Sequence, residues 1–227
     1  FDYLNLSGIY GLHGRVLPTS LGVKLGKPNL KVIGFAGDGD TYGEGMAHFI
    51  HAGRFNSDMT LVVHNNQSYS LTTGQATPTT PLGYKSKAEP LGEFNQPVNP
   101  IKLALGAGMG FIARCQAKDI EHTAEMIEKA IKHQGFSFVE ILQDCLIFKL
   151  ETNKKEELMY KIKDNNNLEQ AWRLASEWDY NPPSENKEKH SRIPLGIIFQ
   201  EKRPSQPLED KWPQLKALKK KGTGWPI

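Results

Sequence analysis

Apolar residues along the chain fall into short unbroken blocks, and between them they recur at helical spacing. "KVIGFAG" (residues 31–37), "MTLVVHN" (59–65), "GFIARC" (110–115) and "FSFVEIL" (136–142) are such blocks. Their length and their bounding turn formers predict strands buried on both faces. Helical spacing predicts a helix over 15–26, with Pro18 tolerated in its first turn. It predicts others over 41–54 and 101–108, and an amphipathic one over 119–133. In the last, Ile120, Ala124, Ile127 and Ile131 form the apolar stripe behind an Asp119 cap. Strands alternating with helices predict the α/β class: a doubly wound, mostly parallel sheet with helices on both faces.

The pattern breaks twice. Residues 66–100 are rich in Gly, Pro, Thr and Ser, too long for an ordinary connection, and connections of this length are usually functional. Beyond residue 150 the chain turns polar and poor in β-branched residues. One or two helices and a loose linker are expected there, then a strand over 193–200 and a tail. This divides the sequence into an α/β domain, 1–150, and a C-terminal extension and tail, 151–227. Lys219, Lys220 and Lys221 read as a solvated charge run.

Composition narrows the picture. The 227 residues carry a net charge of +3 with signs mixed along the chain, so nucleic acid is not indicated as a partner. No apolar run reaches the roughly 18 residues of a membrane helix, so no membrane is expected. Two cysteines, Cys115 and Cys145, make no disulfide framework, and a cytoplasmic setting is the default. The chain has no starting methionine, from which a missing N-terminal piece is expected.

Candidate chemistry sits at two strand ends. Gly37-Asp38-Gly39 closes the first block, and after 25 intervening residues Asn65-Asn66 closes the second. In a doubly wound sheet, ligands bind beyond the carboxyl ends of the strands. Gly37 and Gly39 allow a sharp turn and close approach to a ligand, and the following helix N-terminus favours phosphate. An acid beside a phosphate requires a cation between them. Magnesium takes about six oxygens near 2.1 Å, and often combines one or two carboxylates with substrate phosphates. Asp38 offers a charged oxygen, Asn66 an amide oxygen, and the Ser68 carbonyl a third. Gly-Asp-Gly alone is ordinarily a turn. Followed by Asn-Asn at this distance, it resembles the thiamine diphosphate motif.

Three longer stretches carry a closer resemblance: "LHGRVLPTSLGVKLGKPNLKVIGFAGDGD", "HFIHAGRFNSDMTLVVHNNQSYSLTTGQATPTTP" and "NPIKLALGAGMGFIARCQAKDIEHTAEMIEKAIKHQGFSFVEILQDC". Over residues 12–150 the chain resembles the β subunit of 2-oxoacid:ferredoxin oxidoreductases. The resemblance implies the thiamine diphosphate-binding fold and coenzyme A-dependent oxidative decarboxylation of a 2-oxoacid, with ferredoxin as electron acceptor. It also implies three cofactors: thiamine diphosphate, Mg²⁺ and a 4Fe–4S cluster. Asp38, Asn66 and the Ser68 carbonyl become Mg²⁺ ligands, and Gly37, Gly39 and Asp40 line the diphosphate. His13 and Gly14, followed by Arg15, approach the cofactor rings, which makes His13 the candidate catalytic residue. Residues 71–80 cover the thiazolium side, with Leu71 and Thr72 as contacts. Thr73 stands where several relatives carry lysine.

Cys145 matches a cluster ligand of the family. The other three cysteines come from an N-terminal region whose motifs this sequence does not contain, so the cluster belongs to the intact subunit. Cys115 is expected simply to pack, and His48 and His51 to be surface or core-edge residues. The implied partners are an α subunit that carries the activating glutamate, ferredoxin, coenzyme A and the 2-oxoacid. Three other readings stay open: a non-oxidative thiamine decarboxylase or synthase, a non-catalytic scaffold subunit of the same fold, and a nucleotide-binding module. The last lacks a Gly-x-Gly-x-x-Gly turn at the first strand.

Overall fold

A computed structural model describes residues 5–148, 156–181 and 192–222. Its strands are β1 (Val32–Gly37), β2 (Met59–Asn65), β3 (Phe111–Gln116), β4 (Ser137–Leu142), β5 (Met159–Lys161) and β6 (Ile193–Gln200). They form one sheet in the order β1-β2-β4-β3-β6-β5. The first four are parallel, while β6 runs antiparallel to β3 and parallel to β5. Gly37 pairs with His64, and Asn65 and Gln116 both pair with Leu142, so these four strands end at one edge. After β3 the chain doubles back and places β4 between β2 and β3. The candidate residues stand at the carboxyl ends of β1 and β2, the edge at which such sheets hold ligands.

Helices α1 (Val16–Gly26), α2 (Met46–Phe55), α3 (Pro100–Gly106) and α5 (Leu168–Ser176) share one core with the sheet. Leu61, Val63, Ile112, Phe138 and Ile198 rise into it from successive strands. Phe49 of α2 meets Tyr42 and Phe138 edge to face, with centroids 5.5 and 5.0 Å apart. Such pairs add about 0.5–1.5 kcal/mol to the burial itself. Helix α4 (Ile120–Lys132) packs against the opposite sheet face, over Val62, Val139 and Ile141.

Several expectations need correction. The helix expected from residue 41 begins directly after Asp38, as a π-helical turn (Gly39–Glu44) that passes through Gly45 into α2. Asp119 does cap α4, accepting from the His122 N–H at 3.2 Å. The buried face of α4, however, is His122, Met126 and Ala130, and Ile120 is 76% exposed. Ile127 of the expected stripe does pack, partly buried, against the same cluster. The polar region holds a strand, β5, that its composition concealed. The tail forms α6 (Leu208–Lys211) and α7 (Pro213–Lys221). Of the polar region in which a loose linker was expected, residues 149–155 and 182–191 lie outside the described residues. No helix among those described is long and apolar enough to cross a membrane.

Candidate functional site

Asp38 leaves the end of β1 with ordinary right-handed backbone angles, φ −66° and ψ −42°. Its side chain is 2% exposed. Thr77 Oγ1 and Thr79 Oγ1 donate to the same oxygen, Oδ2, at 2.6 and 2.8 Å. Burial raises its carboxyl above the usual range, and the two hydroxyls with the backbone N–H groups of Asp38 and Asn66 partly offset this. None of the ion pairs among the described residues includes Asp38. A buried carboxylate without a counter-charge is a costly arrangement that a bound cation resolves.

Asn66 begins a tight turn at the end of β2. Its Oδ1 accepts from Ser68 N–H at 3.0 Å and its amide donates to Ser70 Oγ at 2.9 Å. Gln67, between them, has φ 57°, in the left-handed region that few non-glycine residues enter. The turn faces the carboxyl end of β1, and the Asn66 backbone N–H reaches the Asp38 carboxylate. Ser68 Oγ and Thr41 Oγ1 are buried with no hydrogen-bond partner. Buried hydroxyls are normally paired, so both leave polar capacity at this edge. The donor chemistry suits a hard cation: one carboxylate, one amide oxygen and a main-chain carbonyl. No group of three His, Cys, Asp or Glu side chains among the described residues forms a metal cage. Magnesium that borrows phosphate oxygens needs no such cage.

The turn carrying His13 and Gly14 comes to the same place. Gly14 N–H donates to Asp40 Oδ1. Gly14 has φ 73°, and a Cβ there would lie 2.7 Å from the Glu44 backbone. His13 is exposed. Arg15 Nη1 lies 3.4 Å from His48 Nε2, and His51 stacks on Phe55, so both helix histidines are surface or core-edge residues. Leu71 and Thr72 are exposed on the loop, and Thr73 takes φ 81°, unusual for a β-branched residue.

Neither glycine flanking Asp38 has a positive φ, so the sharp turn expected there does not depend on a left-handed glycine. A Cβ on Gly39 would fall 2.2 Å from the Tyr69 ring, whose hydroxyl donates to the Gly39 carbonyl at 3.1 Å. Gly39 therefore admits Tyr69. A Cβ on Gly37 would meet nothing within 4 Å. Gly37→Ala is expected to melt like the parent, while Gly14→Ala loses about 1–3 kcal/mol of stability. Thermal unfolding of the two variants side by side checks this.

Cys145 is 6% exposed; its Sγ lies 3.6 Å from Ser70 Oγ and accepts from Phe148 N–H at 3.4 Å. Ser70 is also the hydroxyl bonded by Asn66, which brings Cys145 within two contacts of the Asn66 turn. Cys115 packs fully buried between β3 and α4, and burial pushes its thiol up to about 12. A cleft of about 250 Å³ opens beside Asn66 and Gln67 at the ends of β3 and β4, walled by Gln116, Lys118, Leu142 and Trp178. Thr77 and Thr79, which hold Asp38, carry a sequence signal only in hindsight: "ATPTTP" is a run of hydroxyls inside an overlong loop.

Residues 1–141 match the family described as thiamine pyrophosphate enzyme, C-terminal TPP binding domain. The 2-oxoacid:ferredoxin oxidoreductase subunit beta of Saccharolobus solfataricus is 40% identical over 205 residues, covering 88% of this chain and 67% of that protein. The chain belongs to the β subunits of the 2-oxoacid:ferredoxin oxidoreductases. A second relative, 2-oxoglutarate synthase subunit KorB of Archaeoglobus fulgidus, is 41% identical over 164 residues, covering 72% of this chain and 61% of that one. Among solved structures, a 2-oxoglutarate:ferredoxin oxidoreductase from Magnetococcus marinus superposes with a TM-score of 0.78 and 27% identity. It covers 95% of this chain and 70% of that one, and it was solved with 2-oxoglutarate, coenzyme A and succinyl-CoA bound. The chain spans about two thirds of the length of the curated β subunits it matches. The family and the fold read from the motifs thus both hold.

Proposed function

We propose that this chain holds thiamine diphosphate and Mg²⁺ in an enzyme that oxidatively decarboxylates a 2-oxoacid of the pyruvate or 2-oxoglutarate class. Coenzyme A takes the acyl group and ferredoxin the electrons. The observation that carries the reading is the buried Asp38 carboxylate, with one oxygen tied to two threonine hydroxyls, facing the Asn66–Ser68 turn on the adjacent strand. Asp38, Asn66 and the Ser68 carbonyl would hold Mg²⁺, leaving the remaining positions to diphosphate oxygens and water. Gly37, with open space where a side chain would stand, together with Gly39 and Asp40, would receive the diphosphate.

When bound, thiamine diphosphate supplies a nucleophilic ring carbon and an electron sink for decarboxylation. The chain's own residues orient and enclose it. The His13-Gly14 turn, fastened to Asp40, approaches from one side, and the loop carrying Leu71 and Thr72 from the other. An α subunit covers this exposed edge and brings the carboxylate that activates the ring. In the intact subunit, Cys145 would be one ligand of a 4Fe–4S cluster. Such a cluster normally needs four thiolates, and this sequence has two cysteines. Neither is in a disulfide, which suits a reducing cytoplasm.

The full-length subunit, produced with its α partner and loaded with iron, thiamine diphosphate and Mg²⁺, tests the reading. Ferredoxin reduction is expected to require both coenzyme A and a 2-oxoacid, and to disappear when Mg²⁺ is chelated. Release of CO₂ at an undiminished rate without coenzyme A, ferredoxin or iron would instead identify a non-oxidative thiamine enzyme.

A further inference from the structure

Arg114 on β3 and Glu140 on β4 are register partners, and both are 0% exposed. They stand on the sheet face otherwise occupied by Leu61, Val63, Ile112 and Phe138. Taking two charges out of water is costly, and an apolar pair of similar volume is often as stable or more so. Core stability alone therefore does not account for them.

Their hydrogen bonds lead to the metal-binding edge. Arg114 Nε donates to Glu140 Oε2 at 2.8 Å, and Arg114 Nη2 to Tyr180 Oη at 2.8 Å. Tyr180 Oη stands 2.8 and 2.7 Å from the two Glu140 oxygens. The Asn65 amide donates to Glu140 Oε1 at 2.8 Å. Only an N–H can face a carboxylate, so this contact fixes which way the amide points. Asn65 Oδ1 must then face Thr79 Oγ1, 2.9 Å away, and Gln67 N–H, 3.2 Å away. Thr79 Oγ1 is in turn 2.8 Å from Asp38 Oδ2. The single Thr79 hydroxyl proton faces two acceptors, Asn65 Oδ1 and Asp38 Oδ2, and is shared between them, so the contacts Arg114–Glu140–Asn65–Thr79–Asp38 follow one another without a gap.

A separate observation points the same way. Tyr180 has φ 69° and Gln67 has φ 57°. Both are non-glycine residues in the left-handed region, and the Gln67 amide donates to the Tyr180 carbonyl at 3.4 Å and to the Thr79 carbonyl. Strained backbone persists where its surroundings over-determine it, and it gathers at functional sites.

We propose that Glu140, held by Arg114 and Tyr180, is a positioning residue for the metal-binding carboxylate: it orients Asn65, which seats Thr79 against Asp38 Oδ2 and leaves the other oxygen for the metal. The proposal rests on the reading of Asp38 as a Mg²⁺ ligand. Magnesium demands near-ideal octahedral geometry, whereas calcium tolerates irregular shells. A loosened carboxylate therefore penalises Mg²⁺ more than Ca²⁺.

The test replaces the network by apolar side chains of similar volume, Arg114→Met/Glu140→Leu/Tyr180→Phe, in the full-length subunit with its partner. Calorimetry at saturating thiamine diphosphate then gives the affinities for Mg²⁺ and Ca²⁺. The variant is expected to fold, to bind Mg²⁺ roughly 10–100-fold more weakly, and to lose much less affinity for Ca²⁺. Parental Mg²⁺ affinity, or an equal loss for both ions, overturns the proposal, since a purely structural role leaves the Mg²⁺/Ca²⁺ ratio alone. If the triple variant does not fold, Tyr180→Phe alone decides: a several-fold Mg²⁺-selective loss supports the proposal, and parental binding overturns it. Asp38→Ala serves as the control. If it keeps parental Mg²⁺ affinity, the reading of Asp38 is wrong and the proposal goes with it. If it loses that affinity while the network variants do not, only the proposal fails.

Discussion

Asp38→Ala removes Mg²⁺-dependent binding of thiamine diphosphate, weakening the cofactor on the order of 100-fold or more, because it deletes the one charged protein oxygen proposed for the metal. The sheet is expected to survive. Asp38 follows the last residue of β1, and the pairing of that strand with β2 is complete without its side chain. Removing an uncompensated buried carboxylate also relieves a desolvation cost, set against two threonine hydroxyls that lose an acceptor. Asn66→Ala is milder, about tenfold, since water replaces a neutral oxygen more readily than a charged one. Its amide also bonds Ser70, so the turn loosens as well. Titration calorimetry beside thermal melting separates binding from folding. Cofactor affinity at the parental level in both variants would remove the metal assignment.

Cys145→Ser in the full-length subunit is the second large effect. The thiol lies where a sulfur ligand would be supported: nearly buried, accepting a backbone N–H from Phe148, and beside the Ser70 hydroxyl. Hydrogen bonds of this kind to sulfur are part of how proteins tune iron–sulfur clusters. Replacing one of four thiolates by a hydroxyl is expected to bleach the cluster's visible absorbance and to slow ferredoxin reduction by at least tenfold. Thiamine diphosphate affinity stays within about twofold, because Asp38 and Asn66 are untouched. Iron content, absorbance and calorimetry check the three statements. Normal iron and normal ferredoxin reduction would return Cys145 to the role of an ordinary packed thiol, the role Cys115 plays between β3 and α4.

Much of the framework was legible because four apolar blocks with turn formers at their ends admit little else. The observed bounds of β1 to β4 differ from the expected ones by at most a residue. What escaped was structure whose reason is tertiary. β5 is three residues long and half polar, and pairing with β6 makes it a strand. The buried stripe of α4 depended on the shape of the sheet beneath, so Ile120 was read inward and lies outward. At the site, Gly39 was read for backbone freedom, yet it is needed for the Tyr69 ring. Arg114 and Glu140 were visible as charges within apolar strands, "GFIARC" and "FSFVEIL". Their partnership was not, because β3 and β4 place them in register only once α4 has brought the strands together.

The long connection between β2 and α3 also has a consequence for the order in which this chain acquires its properties. β1 and β2 are joined through one π-helical turn and one helix, so their pairing closes early. Thr77 and Thr79 meet Asp38 only across 39 and 41 residues of sequence. The segment that brings them back is pinned at its far end by the Val98 N–H to the Pro78 carbonyl. Closing a long irregular segment costs entropy before its contacts repay it. By this ordering the β1–β2 pair, which carries Asp38 at its end, is expected to close before Thr77 and Thr79 seat that carboxylate. The proposed metal site is thus expected to be completed later than the strand pair on which it stands, since its threonines arrive from a segment beyond both strands.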